Sequence, residues 1–160
     1  MAESRSLHAL VMAHDVAGVE ALLRERNGAL TCLLATSITH SLTHLFIDCV
    51  NEYDTKQRTP LHLACWLGEL EMIQVLLNAG ASCALLAQDG FTCLHFAVQK
   101  LNENALNIVK LLLKTDKTLL NKKVFKGKKS VLHLAISKNN YDVVQHLLES
   151  GNCHPYFTHS

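Results

Sequence analysis

From Leu70 to Leu77 the apolar residues Leu70, Ile73, Leu76 and Leu77 recur at the spacing of one helical face. Gly80 follows where a left-handed residue would end that helix. Upstream, Thr59-Pro60-Leu61-His62-Leu63-Ala64 reads as a helix start: Thr59 suits the N-cap, and Pro60 suits the first turn, where its missing N–H costs nothing. Gly68 breaks the run between the two helices. The predicted unit is therefore helix, tight turn, helix, then a hairpin-like excursion. Val16, Val19, Leu22 and Leu23 form a similar stripe near the N-terminus. Leu30, Leu34, Ile38, Leu42 and Phe46 fall about four apart and predict an amphipathic helix. The surrounding stretch, Ala29 to Ile47, lacks Asp, Glu, Lys and Arg, but its many Ser, Thr and His residues argue against a membrane span.

The helix start is written three times. Thr92-Cys93-Leu94-His95-Phe96-Ala97 begins 33 residues after Thr59, and Ser130-Val131-Leu132-His133-Leu134-Ala135 begins 38 residues after Thr92. Leucine pairs follow each copy at Leu76-Leu77, Leu111-Leu112 and Leu147-Leu148, and Leu22-Leu23 supplies a fourth, 15 residues after Leu7. A period of this length marks one supersecondary unit that buries its apolar face only against a stacked neighbour. The pattern resembles the ankyrin repeat family, weakly over 1–27 and strongly over 49–152. Within that family, Gly90-Phe91-Thr92-Cys93-Leu94-His95 and the lengthened passage before Ser130 look somewhat like inhibitors of the Rel/NF-kappa-B factors. The resemblance implies an all-α solenoid of stacked helix-turn-helix units with short β-hairpin fingers.

The expected organisation is a divergent N-terminal ankyrin-like unit at 1–28, a helical insertion at 29–48, three repeats at 49–152 and a tail at 153–160. Cys49-Val50-Asn51-Glu52-Tyr53-Asp54 resembles the family's lead-in to a repeat. Unit three holds 5 extra residues, with about two expected between its helices and about three before Ser130. Terminal repeats need a polar outer cap, and Val143, Val144 and Leu147 are not polar, so the chain reads as a truncated or short form of a longer array. Self-association through that uncapped repeat is a further expectation.

Composition refines this picture. Hydrophobic residues make up 49% and charged residues 18%, which fits a packed chain and excludes a disordered one. Residues 1–109 carry 11 acids and 6 bases, whereas residues 110–160 carry 3 acids and 9 bases, so the molecule is electrically two-ended. Cys65 and Cys93 occupy positions that want a small buried residue, and no secretory signal precedes them. That favours reduced thiols in an intracellular setting over a disulfide framework.

The repeat-periodic His62, His95 and His133 are placed by the fold; the resemblance implies that each imidazole bonds backbone or the adjacent Thr across the turn. No metal site, cofactor or catalytic residue is expected, because zinc-like spacing, a nucleophile elbow and a phosphate loop are all missing. By resemblance, partners are met by the finger tips and the end of each first helix. This places Tyr53, Thr55, Lys56, Arg58, Trp66 and Leu67 of unit two on the concave face. In unit three the matching positions are Leu86, Gln88, Asp89, Phe91, Gln99 and Lys100. In unit four they are Lys123, Phe125, Lys126, Lys129, Ser137 and Lys138. Trp66 stands at a solvent-facing position and is the sharpest candidate.

The function expected is a non-enzymatic protein-protein interaction module, an intracellular adaptor or inhibitor, cytoplasmic and also nuclear, with no small-molecule substrate. Two alternatives stand beside it. One is a fragment of a larger ankyrin-containing signalling protein or enzyme regulatory region. The other is a nuclear factor using the Lys-rich edge at 110–129, which suits an acidic partner; Phe125 is the only aromatic there, so stacking on nucleic acid is poorly supported.

Overall fold

The computed structural model describes residues 6–33, 50–88, 90–100, 103–121 and 130–150. These form helices α1 (Leu7–Met12), α2 (Val16–Leu33), α3 (Pro60–Leu67), α4 (Leu70–Asn78), α5 (Cys93–Gln99), α6 (Ala105–Thr115), α7 (Val131–Ser137) and α8 (Tyr141–Glu149). A 3-10 turn, Lys117–Asn121, follows α6. There is no strand among the described residues. Helices α1, α3, α5 and α7 pack side by side as one row, and α2, α4, α6 and α8 form a second row behind it. Each helix meets its pair-mate and its neighbours in the row, which is the architecture of a stacked solenoid.

The repeated hexapeptide acts as a reciprocal cap. The Thr59 N–H donates to His62 Nδ1 at 3.1 Å, and the Thr59 hydroxyl lies 2.8 Å from the same atom. Thr92 and His95 repeat this at 3.3 and 2.8 Å, and Ser130 and His133 at 3.4 and 2.7 Å. Orphan donors at three helix starts are thereby satisfied by one sequence device. Because Nδ1 accepts from a backbone N–H, the proton of each neutral ring resides on Nε2.

The turn between paired helices requires a left-handed residue. His14 (φ 58°), Gly68 (φ 84°) and Asn139 (φ 54°) each stand seven residues after Leu7, Leu61 and Leu132 respectively. Two of the three carry side chains, and Asn and His are among the types that tolerate this region best. Side-chain bonds then link successive turns: His14 Nδ1 lies 2.7 Å from Glu69 Oε1, and Asn104 Nδ2 donates to the Gly68 carbonyl at 3.2 Å. Helix α4 ends in a Schellman arrangement, with Gly80 at φ 89°, the Ala81 N–H bonded to Leu76 O at 2.9 Å and the Gly80 N–H to Leu77 O at 3.0 Å.

The core runs continuously along the stack. Leu61, Leu63, Met72, Ile73, Leu76, Leu94, Ile108, Leu112 and Leu147 are fully buried, each contributing about 1.5–3 kcal/mol of transfer free energy. Burial corrects the leucine register of unit three. Leu112 and Leu113 are buried, whereas Leu111 is only partly so. The equivalent of Leu76-Leu77 is thus Leu112-Leu113. His95 precedes Leu112 by 17 residues, against 14 from His62 to Leu76 and from His133 to Leu147, so three of the five extra residues lie between α5 and α6. A run of three leucines hides this phase from the sequence.

Unit four differs from units two and three on its outer side. Cys65 and Val98 are wholly buried under the next unit, but their counterpart Ile136 is 55% exposed, with Tyr141 at 78% and Leu148 at 52%. His133 is exposed where His62 and His95 are buried. Helix α2 extends to Leu33, into the first residues of the expected 29–48 segment. Residues 34–48, the rest of that segment, lie outside the described residues, as do Cys49, 122–129 and the tail. No described helix is long and apolar enough to cross a membrane.

Candidate concave interface

The finger of unit two is a tight turn built on Asp54. Its Oδ1 accepts the N–H groups of Lys56 at 2.9 Å and Arg58 at 2.7 Å; its Oδ2 accepts Arg58 Nε at 2.9 Å and Nη2 at 2.7 Å. Burial works to raise the Asp54 carboxyl pKa, but hydrogen bonds from the Arg58 side chain and from the Arg58 and Lys56 backbone outweigh it and hold the pKa below the ordinary 3.8. One ladder bond, Asp54 N–H to Arg58 O at 2.9 Å, closes this finger, and its Gln57 is left-handed at φ 52°. The finger of unit three repeats the form, with Ala87 N–H to Phe91 O at 2.8 Å and Gly90 at φ 78°. These are hairpin turns too short to register as strands. His8 Nε2 lies 2.9 Å from the Arg58 carbonyl, so unit one steadies the finger that follows it.

Between these fingers and helices α3 and α5 lies a cleft of about 280 Å³, lined by Lys56, Arg58, Trp66, Ala87, Gln88, Phe91, Phe96 and Gln99. Phe96 is its hub. Its ring meets Trp66 edge-on at 6.3 Å, Phe91 at 5.9 Å and His62 at 5.2 Å. Phe91 also meets His95 edge-on at 5.6 Å. Such offset and edge contacts are the favoured aromatic geometries. Lys100 places its ammonium 6.0 Å from the centre of the Trp66 ring, within cation–π range. The rim is cationic, and no acidic side chain is among the described residues lining the cleft.

Behind the cleft the histidines are held neutral. Burial lowers the pKa of His62 to about 4; the nearby carbonyls of Leu85 and Phe91 offset part of that effect. Burial alone lowers His95 to about 4. Cys65, Cys83 and Cys93 are buried free thiols, and the Cys93 thiol donates to the Cys83 carbonyl at 3.3 Å. The Cys93 pKa is raised by its contact with Cys65 together with burial, and that of Cys83 by its contact with Cys93 and burial. All three are small buried core residues, and the raised pKa of Cys83 and Cys93 suppresses the nucleophilicity of those two. Among the described residues no group of three His, Cys, Asp or Glu side chains is placed to hold a metal.

Of the residues expected on the concave face, Lys56, Arg58, Trp66, Gln88, Phe91 and Gln99 come together in this cleft, with Lys100 over Trp66. Trp66 differs from expectation in being half-buried, because Phe96 and Lys100 of the next unit cover part of its ring. Leu67 is partly buried and packs against the core. Tyr53 is exposed on its finger and Lys138 on the turn after α7, and neither lines the cleft. Asp89, Phe125, Lys126 and Lys129 lie outside the described residues. Sequence reasoning passed over Ala87 and Phe96; the available signal was an aromatic ring at 96 where Leu63 and Leu134 stand in the other units.

The family description of ankyrin repeats in three copies matches residues 6–118 and again 80–157. The chain belongs to the ankyrin-repeat family. Ankyrin repeats are a protein-protein interaction module. The chain is 37% identical over 102 residues to a transient receptor potential cation channel subfamily A member 1 homolog of Caenorhabditis elegans, a match covering 64% of this ankyrin chain and 8% of the channel. It is 30% identical over 106 residues to the nuclear factor NF-kappa-B p105 subunit of Rattus norvegicus, covering 65% of this chain and 10% of that subunit. It is 34% identical over 65 residues to Notch-regulated ankyrin repeat-containing protein B of Danio rerio, covering 39% of this chain and 59% of that protein. The ankyrin units therefore span a tenth or less of the channel and NF-kappa-B relatives, and over half of the short Notch-regulated one.

Proposed function

We propose that this ankyrin stack is an adaptor or inhibitor that holds a protein partner in the cleft between units two and three, without chemistry, inside the cell in the cytoplasm or nucleus. The observation that carries the reading is the Trp66–Phe96–Phe91 floor under a rim of Lys56, Gln88 and Gln99. Half-covered tryptophan within a cleft is the setting of interface hot spots. The walls belong to two packed units, so little ordering cost accompanies binding.

A photo-crosslinking residue at Gln99 tests this, with the same residue at Glu71 on the exposed side of α4 as the control. Capture of one partner from Gln99, lost in Trp66→Ala, is expected; equal capture from Glu71 would remove the assignment. Truncating Trp66 should weaken that partner by about 2 kcal/mol or more. The small share of the channel and NF-kappa-B relatives that is matched favours a second reading, in which these units serve as the docking region of a longer signalling protein. The exposed Ile136, Tyr141 and Leu148 favour an additional contact between copies of the chain, which sedimentation velocity at rising concentration tests.

A further inference from the structure

Residues 1–109 hold only six basic side chains against eleven acids, yet three of those six, Lys56, Arg58 and Lys100, gather at one cleft. Arg58 is already engaged by Asp54 and serves to fix the finger. Lys56 and Lys100 have no carboxylate partner among the described residues, and both side chains are exposed. Within an acidic region of the chain, the described residues of the cleft thus gather positive charge over an aromatic floor.

From this charge pattern we infer that the occupant of the cleft is an extended acidic peptide in which a carboxylate stands beside an apolar side chain. The inference deepens the proposed function and rests on it. The apolar side chain enters between Trp66, Phe91 and Phe96, and the carboxylate lies between Lys56 and Lys100. The amides of Gln88 and Gln99 face the peptide backbone with both donors and acceptors. At about 280 Å³ the cleft sits at the small end of ligand pockets, which run from ~300 to ~1,000 Å³, so it suits one or two side chains of a longer segment. Charge complementarity of this kind selects partners and speeds encounter. Lys100 is the adjustable element: its hold on the Trp66 ring is a weak exposed cation–π contact, readily exchanged for a carboxylate.

Trp66 is the only tryptophan in the chain, so its fluorescence reports occupancy of this cleft and no other site. The probe is a synthetic peptide in which Glu pairs flank single Leu residues. A twin with Gln for Glu and an oligodeoxythymidylate serve as comparisons. Expected are a saturable change in Trp66 emission with the acidic peptide, at least tenfold weaker binding of the Gln twin, and at least tenfold loss in the Lys56→Glu/Lys100→Glu double variant. The Lys56→Arg/Lys100→Arg variant should retain binding. Equal binding of the Gln twin, no saturable response to the acidic peptide, or indifference to the charge reversal overturns the inference. So does tighter binding of the oligonucleotide, which would assign the site to a nucleic acid. Partner capture through Gln99 alongside failure of the acidic peptide would leave the proposed function standing and remove this inference alone.

Discussion

Acidification should unfold this stack through two particular rings, and the effect can be isolated at His95. Its imidazole is fully buried, and burial lowers its pKa from 6.5 to about 4. The folded value is depressed, so the unfolded chain binds the proton first. Stability is therefore intact above pH 6.5 and is lost as the pH falls toward 4. With these two values, linkage gives a loss of about 2 kcal/mol at pH 5 relative to pH 8, approaching about 3 kcal/mol below pH 4. His62, also lowered to about 4, adds a similar amount. Together these are a large part of a typical stability of roughly 5–15 kcal/mol.

The perturbation that isolates one ring is His95→Asn. Asn places Oδ1 where Nδ1 accepts the Thr92 N–H, so the cap is kept while the titrating group is removed. The variant is less stable at pH 8 because it loses the ring contact with Phe91. The measurement is urea unfolding of both proteins from pH 8 to pH 5. The stability difference between them should shrink by about 2 kcal/mol over that range as the wild type alone loses the His95 term. The remaining histidines cancel in the difference, and Asp54 titrates below the window. A difference that stays constant within about 0.5 kcal/mol would refute the claim that burial controls this ring.

Leu112→Ala should cost about 2–5 kcal/mol in chemical denaturation and Leu111→Ala clearly less, because only the former is fully buried; the reverse order would restore the other leucine register. Gly80→Ala should cost about 1 kcal/mol, since a Cβ there meets nothing within 4 Å and only the left-handed backbone resists it; a loss above about 3 kcal/mol would mean a steric clash instead. Cys65, Cys83 and Cys93 should label with a thiol reagent at pH 8 only as fast as the chain opens, read cysteine by cysteine in a mass spectrometer; labelling within the mixing time of folded protein would show them reachable.

Helices α3, α5 and α7, their caps and their order along the stack follow from the hexapeptide, because its opening Thr or Ser and the histidine three residues later cap each helix start and its third-place leucine enters the core, with Pro60 pre-setting the first turn in α3 alone. The phase of α6 was hidden by Leu111, Leu112 and Leu113, where three equivalent side chains leave the choice to neighbouring units. The environment of Trp66 was hidden for a related reason: what covers it, Phe96 and Lys100, comes from the next repeat, about a full period along the chain. The left-handed backbone at His14 and Asn139 lacked the glycine that marks Gly68, although both stand at the same distance from an inner leucine. Most members of the cleft were reached through the ankyrin resemblance carried over position by position, whereas Phe96 reads as core until its edges are seen to face both ways.

Phe96 belongs at once to the stack and to the cleft, and that double membership constrains how this surface can diverge. Its ring braces the capped His62 on one side and underlies Trp66 on the other. A change at 96 that altered recognition would also loosen the seam between two units. Lys56, Gln88 and Gln99 make no such ring contact among the described residues, so selection can rewrite them with less disturbance to the seam. Descendants of this chain should keep the aromatic floor and exchange the rim, acquiring new guests on an inherited pedestal.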